Sequence, residues 1–378
     1  MPSENIFLPP TTYNLTMKAL IAAGGRATRF RPITWTINKH LIPLANRPLI
    51  FHAIEKVAEA GVKEIAININ PGDTEMEQAV GDGSRWGVRI TYLEQQGGAK
   101  GIAHAVNNAQ AWLGDEPFIF YLGDNIVLGS LKRFVKRFEK EELHCLLALS
   151  HVPNPTHLGV AEFDAAGNLV RVVEKPKVPP SEMAVTGIYL YNKSFFEAFK
   201  NIEPSGRGEY EISDIHTWFL QNGYKVGTEE ITGWWKDTGM PSDFLEGNQL
   251  IMNEKPREFW SVDSSAVIEA DAVIEGPVRI EAGSRITSGS IVRGPVTIGK
   301  NVMITDAYIG PYTSLGDGVI VHGGEVEHSI VLEGAKITSP SRIVNSILGR
   351  NTVVVSPSVS LPRSGHCLVI GENSKVEL

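Results

Sequence analysis

The chain has 378 residues, 42% of them apolar and 21% charged, which suits a folded protein of two or three domains and rules out disorder throughout. Its 35 Lys and Arg stand against 43 Asp and Glu, a net charge of −8 that argues against a nucleic-acid partner. No apolar run reaches the roughly 18 residues needed to cross a membrane, and Cys145 and Cys367 fit no zinc or redox spacing, so a reducing cytoplasm is expected.

Residues 1–16 read as an N-terminal extension. They carry Glu4 and three prolines but no Lys or Arg, so the basic start and apolar stretch of a signal peptide are missing. Lys18–Ala23 is a predicted buried strand that runs into a loop holding Gly24, Gly25, Arg26, Arg29 and Arg31, with Lys39 after it. A glycine pair past a buried strand lets backbone N–H groups approach a phosphate. Four positive charges within fourteen residues of an acidic chain suit a triphosphate. The plain alternative is a solvated basic loop behind a glycine turn. Neither GxxxxGK[ST] nor GxGxxG is present, so an ordinary P-loop or dinucleotide fingerprint is excluded.

The pattern then predicts a helix over Pro48–Ala60 capped by Gly61, a strand at Glu64–Ile69, a helix at Thr74–Val80 and a strand at Arg89–Leu93. A helix over Ile102–Leu113, a strand at Pro117–Leu122 and a charged helix at Leu131–Glu142 follow. This alternation is that of an α/β domain with a Rossmann-like, mostly parallel sheet. The Pro117–Leu122 strand ends in Gly123-Asp124, at the carboxyl edge where open α/β sheets bind ligands. Val160–Phe163 and Leu169–Val173 bracket Asp164–Asn168 as a hairpin that interrupts the pattern. Asp237, between Trp234-Trp235 and Gly239, offers a second carboxylate. Each aspartate alone reads equally well as a turn residue; together they would suit Mg²⁺, which takes a few carboxylate oxygens plus substrate phosphates. A helix over Asp243–Met252 closes this domain at about residue 253, and Lys255–Glu258 makes a polar connection.

From there the period changes. Val262, Ile268, Ile274, Ile280, Ile286, Val292, Ile298 and Ile304 recur every six residues, then the register slips by one to Ile309, Leu315 and Val321, with echoes at Ile337, Ile343, Leu348 and Val354. A six-residue apolar period predicts one flat face per hexad, and it resembles the hexapeptide-repeat family, whose fold is a left-handed parallel β-helix. The second domain is therefore placed at 254–378. Gly299, Gly310 and Gly316 follow apolar positions, where tight turns call for small residues.

Residues 17–253 resemble the sugar-phosphate nucleotidyltransferase family on AAGGRATRFRPIT with Lys39, FYLGDN (120–125), VVEKPK (172–177), AVTGIYLY (184–191), RGEYEISD (207–214) and WWKDTG (234–239). Within that family the tail segments EHSIVLEGAKI (327–337), NSILGRNTVVV (345–355) and LVIGENSKVEL (368–378) are similar to the long thymidylyltransferase form acting on glucose 1-phosphate. The resemblance implies that Gly24 and Gly25 line the nucleotide, Arg29 and Lys39 clamp its triphosphate, and Gln96 and Gly101 contact the base. It implies Asp124 and Asp237 as Mg²⁺ ligands, with Trp235 packed beside the second. Gly159, Glu174, Val185 and Tyr189 would hold the sugar and Lys175 its phosphate. Three departures stand out: Ala27 replaces a family glycine, His40 stands where many short-form relatives carry glutamine against thymine, and Ala99 where they carry proline.

The implied reaction is attack of a hexose 1-phosphate on the α-phosphate of dTTP, with pyrophosphate leaving. A phosphate monoester is largely a dianion at pH 7, so no general base is required, and positioning and cations carry the catalysis. UTP is the rival nucleotide, and another hexose or hexosamine 1-phosphate the rival sugar. An added acyltransferase activity would fall to His322 or His328, and a non-catalytic nucleotide-sugar sensor would be expected to have lost Arg29, Lys39, Asp124, Lys175 and Asp237. The flat faces of the β-helix predict a homo-oligomer, a trimer or tetramer.

Overall fold

A computed structural model describes residues 17–25 and 27–356; the extension 1–16, Arg26, Cys367 and the closing segment 368–378 lie outside them. The chain forms two compact units that divide between Glu254 and Lys255. In the first, the order is β1 (Lys18–Ala22), β2 (Pro43–Leu44), β3 (Arg47–Pro48), α1 (Leu49–Glu59), β4 (Glu64–Ile69), α2 (Thr74–Val80), β5 (Arg89–Glu94), α3 (Ile102–Asn108), α4 (Gln110–Leu113), β6 (Phe118–Leu122) and β7 (Asn125–Val127). It continues with α5 (Lys132–Lys140), β8 (Cys145–His151), β9 (Gly159–Phe163), β10 (Leu169–Glu174), β11 (Met183–Tyr191), α6 (Ser194–Lys200), α7 (Ile212–Gln221), β12 (Val226–Glu230), β13 (Trp235–Asp237) and α8 (Pro241–Asn253).

The strands β5, β4, β1 and β6 lie side by side in parallel; β4, β1 and β6 are apolar runs buried from both faces, and β5 at the edge is half-exposed. Beyond β6 the direction reverses: β11 is antiparallel to β6, β8 and β9, β10 is antiparallel to β9, and β12 runs parallel to β8. The nine-stranded sheet is thus more evenly mixed than the alternation suggests. β10 and β11 flank β9, and each is antiparallel to it, so the two run in the same sense on either side of it. The predicted helix over Ile102–Leu113 is two helices, because Ala109 leaves helical geometry between α3 and α4. Leu20, Phe118, Phe120, Tyr189, Tyr191, Phe195 and Phe219 meet in one core under α3, α6 and α7, each large side chain contributing about 1.5–3 kcal/mol of burial.

In the second unit, short strands stack in three all-parallel sheets, consistent with a left-handed β-helix. Ile286 pairs with Ile304, 18 residues on, and Ile304 with Val321, 17 on. The apolar residues of the series from Ile280 through Val321, and the echo at Ile337, are inward and buried. The first of the series differ: Val262 and Ile268 are 48% and 37% exposed, because no coil among the described residues covers that end of the stack. The slip after Ile304 is a shortened corner, where Asp306 takes the left-handed conformation (φ 47°) and the corner needs one residue fewer. Gly299 and Gly316 are small for a reason other than backbone freedom. A Cβ on either would lie 2.8 Å or less from the next coil, at Asp317 and Glu333 respectively.

Candidate active site

The carboxyl ends of β1, β4 and β6 converge. Gly25 has φ 118°, and Asn70, just past β4, holds it from both sides, accepting from its N–H and donating to its carbonyl, each at 3.0 Å. Gly24 passes so close to Asn68 that a Cβ would sit 3.3 Å from its Oδ1. Asn38 ties the same loop to the Lys39 turn. Its Nδ2 donates to the Ala23 carbonyl (3.3 Å) and to Asp73 Oδ2 (2.6 Å), while its Oδ1 accepts from the backbone N–H and Nδ1 of His40 at 2.9 Å. None of these three asparagines was a sequence candidate. A lone Asn beside a strand end reads as a turn residue, and only their common distance from the glycine loop reveals them.

Lys39 is 8% exposed and its Nζ donates to Asp124 Oδ2 at 2.6 Å. Burial pushes the Asp124 carboxyl up, but the ammonium outweighs it and holds the pKa below the ordinary value. Asp237 is brought alongside by the two-stranded ribbon of β7 and β13, where it pairs in register with Asn125. Thr238 locks the ribbon by donating its hydroxyl (2.7 Å) and N–H (3.2 Å) to the Asp124 carbonyl. Trp235 does the same from β13, donating Nε1 to Asn125 Oδ1 at 2.8 Å and to the Thr186 carbonyl at 3.0 Å. Burial and then the charge of Asp124 raise the Asp237 pKa to about 6, with Lys39 and Arg29 working in the other direction. Its carboxylate has no hydrogen bond or ion pair with a described residue. Two adjacent half-buried carboxylates, one of them unpaired, fit a hard divalent cation that takes its other oxygens from water and phosphates. No group of three or more His, Cys, Asp and Glu gathers among the described residues.

Arg29, Asp124, Asp237, Gly159, Glu174, Lys175, Val185 and Tyr189 line one cavity of about 730 Å³. Lys175 has φ 44°, and its Nζ lies 3.1 Å from Glu174 Oε1. Arg207, from the RGEYEISD segment, adds a second cation 3.8 Å from the same oxygen. At the cavity wall β11 carries an irregularity between Val185 and Tyr189, and Gly187 turns it with φ 75° in a space where a Cβ would meet Leu122 at 2.7 Å. His157, Ser213 and His216 also line the cavity and were not sequence candidates. Gly25 and Lys39 face a second recess of about 410 Å³ with Asn38, Asn70 and Asp73.

Gln96 and Gly101 line neither recess. Gln96 is exposed, and Gly101 opens α3 at φ 94°, where a Cβ would lie 2.5 Å from the Tyr210 carbonyl. His40 is buried, and burial lowers its pKa to about 4, so its ring is neutral. Ala27 stands at φ 39°, a left-handed position that explains the family's glycine there. In the β-helix, His322 is exposed on a strand, and His328 sits at a corner with Nδ1 2.7 Å from Asn345 Oδ1.

The profile of the nucleotidyl transferase family matches residues 18–254. A glucose-1-phosphate thymidylyltransferase of Streptomyces antibioticus is 40% identical over 96% of this chain and 99% of its own length. A low-salt glycan biosynthesis nucleotidyltransferase of Haloferax volcanii is 39% identical over 96% of this chain and all of its own. Among solved structures, a protein described as a glucose-1-phosphate thymidylyltransferase of Bacillus anthracis, in complex with a sucrose, superposes with a TM-score of 0.59 at 36% identity. It covers 62% of this chain and 94% of its own. A UDP-glucose pyrophosphorylase complexed with UDP-glucose gives 0.57 at 25% identity, over 63% of this chain and 99% of that one.

Proposed function

The chain belongs to the nucleotidyl transferase family, and from that premise we propose that it is a glucose-1-phosphate thymidylyltransferase. Glucose 1-phosphate attacks the α-phosphate of dTTP, giving dTDP-glucose and pyrophosphate. The observation that carries the reading is the Lys39–Asp124 pair beside an unpaired Asp237, at the mouth of a cavity that also holds Lys175 and Glu174.

The sugar phosphate is its own nucleophile, so what the chain contributes is position and charge. Lys39 and Arg29 stand where they can neutralise charge on the leaving pyrophosphate. Gly24 and Gly25 let the loop approach the triphosphate closely, with Asn70 taking up the Gly25 N–H and fixing its turn. Lys175, turned into the cavity by its left-handed backbone, places the attacking phosphate, and Gly159, Glu174, Val185 and Tyr189 hold the hexose. The loop from Gln96 to Gly101 is assigned to the base. Asp124 and Asp237 would hold Mg²⁺, which when bound stabilises phosphoryl charge as a Lewis acid. The β-helix supplies a trimeric or tetrameric assembly; sedimentation as a monomer at micromolar concentration would overturn that part. The nucleotide and sugar-phosphate substrates suit a cytoplasmic enzyme, and no helix among the described residues is long and apolar enough to cross a membrane.

Pyrophosphate release with Mg²⁺ and glucose 1-phosphate, run in parallel with dTTP, UTP, ATP, CTP and GTP, tests the reading. A dTTP preference lost in both Asp124→Asn and Lys39→Ala is expected, each variant falling about 10²–10³-fold in kcat. A UTP preference would keep the mechanism and overturn the base. Turnover with none of the five would overturn the enzyme reading for this sugar.

A further inference from the structure

One polar atom at the floor of the cavity has no role in this scheme. His216, on α7, is fully buried, and its Nε2 lies 2.6 Å from the Tyr191 hydroxyl. Tyr191 belongs to the aromatic core with Phe118 and Phe195 and does not line the cavity, whereas His216 does. The other ring nitrogen, Nδ1, is buried and makes no hydrogen bond. Buried polar atoms are almost always paired, so an orphan on a cavity wall points to a partner that arrives from the cavity. The Tyr189 ring, 5.2 Å away, and the Ser213 hydroxyl one turn earlier on α7 belong to the same floor.

We propose that Nδ1 of His216 recognises a ring hydroxyl of the hexose 1-phosphate, directly or through one buried water, and so sets which hexose the cavity accepts. The inference rests on the reading of this cavity as the hexose site. Burial lowers the ring's pKa to about 3, so His216 is neutral and keeps one donor and one acceptor nitrogen. If Tyr191 donates to Nε2, Nδ1–H is a donor; if Nε2–H donates to Tyr191, Nδ1 accepts. A hydroxyl answers both tautomers, while a phosphate oxygen answers only the first. The phosphate has its own cation in Lys175, which leaves a ring hydroxyl as the matching group.

A cycle between protein and substrate tests this. Wild type and His216→Leu are assayed with the accepted nucleotide, glucose 1-phosphate, and its 2-, 3-, 4- and 6-deoxy analogues. In wild type, one analogue should lose about tenfold or more in kcat/KM. In His216→Leu the parent sugar should lose a similar factor, that analogue should lose no more, and the KM for the nucleotide should stay within about twofold. His216→Leu/Tyr191→Phe, which removes both halves of the buried pair, should show the same pattern and guards against unfolding caused by a stranded hydroxyl. A uniform loss across all five sugars, or a change in Tm alone, would make His216 a core residue and overturn the proposal. Absence of wild-type turnover with every sugar would overturn the functional reading, and the recognition role with it.

Discussion

At the scale of single residues, the site is an arrangement of charges that are only partly matched. Lys39 satisfies Asp124 and leaves Asp237 facing it with a raised pKa of about 6 against an ordinary 3.8. The folded chain therefore holds this proton more tightly than the unfolded chain does. The stability it contributes is complete below about pH 3.8 and is lost as pH rises through 6. At pH 8, Asp237→Asn should raise the stability of the metal-free protein, on the order of 1–3 kcal/mol, while abolishing turnover; a lower Tm would contradict the assignment. For the same reason kcat/KM should fall below about pH 6, and more Mg²⁺ should move that acidic limb to lower pH, since metal and proton compete for one carboxylate. Ala27 makes a simpler case. Its left-handed backbone costs about 1–2 kcal/mol, so Ala27→Gly should raise Tm without loss of activity. Charged candidates such as Lys39, Asp124 and Asp237 are legible in the sequence because their chemistry is rare in an apolar setting. Asn38, Asn70 and His216 are not, because their significance lies in what they face.

Among the elements, the ribbon of β7 and β13 does most to make a site out of distant residues, since it sets Asp237 beside Asn125 across more than a hundred positions. The indole N–H of Trp235 ties the ribbon together at Asn125 and fastens it to β11 at the Thr186 carbonyl. Trp235→Phe strands Oδ1 of the buried Asn125, so stability should fall by about 1–3 kcal/mol. The Mg²⁺ concentration for half-maximal activity should rise as the two carboxylates lose their alignment; an unchanged Mg²⁺ requirement would show that the ribbon holds without it. The parallel strands were readable as apolar runs between helical patterns, and the β-helix as a period of six. The reversal at β11 was not, because a buried strand carries the same apolar signature in either direction and only pairing partners reveal its sense. The turn at Gly187 was hidden likewise, its glycine explained by Leu122, a residue far away in sequence.

At the scale of the whole molecule, an enclosed sheet domain and an open-ended stack obey different rules of growth. In the sheet domain every strand is committed to a neighbour, and β6, β9, β10 and β11 also to a cavity wall. In the stack, each coil bonds only to the coil before and the coil after, from Ile286 to Ile304 to Val321 to Ile337. Removing residues 310–326 should therefore seat Ile309 where Val326 was and leave a shorter but cooperative stack, because those two residues are already partners in adjacent coils. Removing only 310–319 should turn the inward face outward and abolish its melting transition. Corner asparagines make the same point at atomic scale: Asn301 lies over Gly283, and Asn351 over Gly334, each with Oδ1 2.3 Å from where a glycine Cβ would be. Every such pair is a notch one coil long, whether that coil takes 18 residues or 17. The second unit is in effect a ruler graduated in whole turns, so chains built on this plan should differ in length by steps of one graduation.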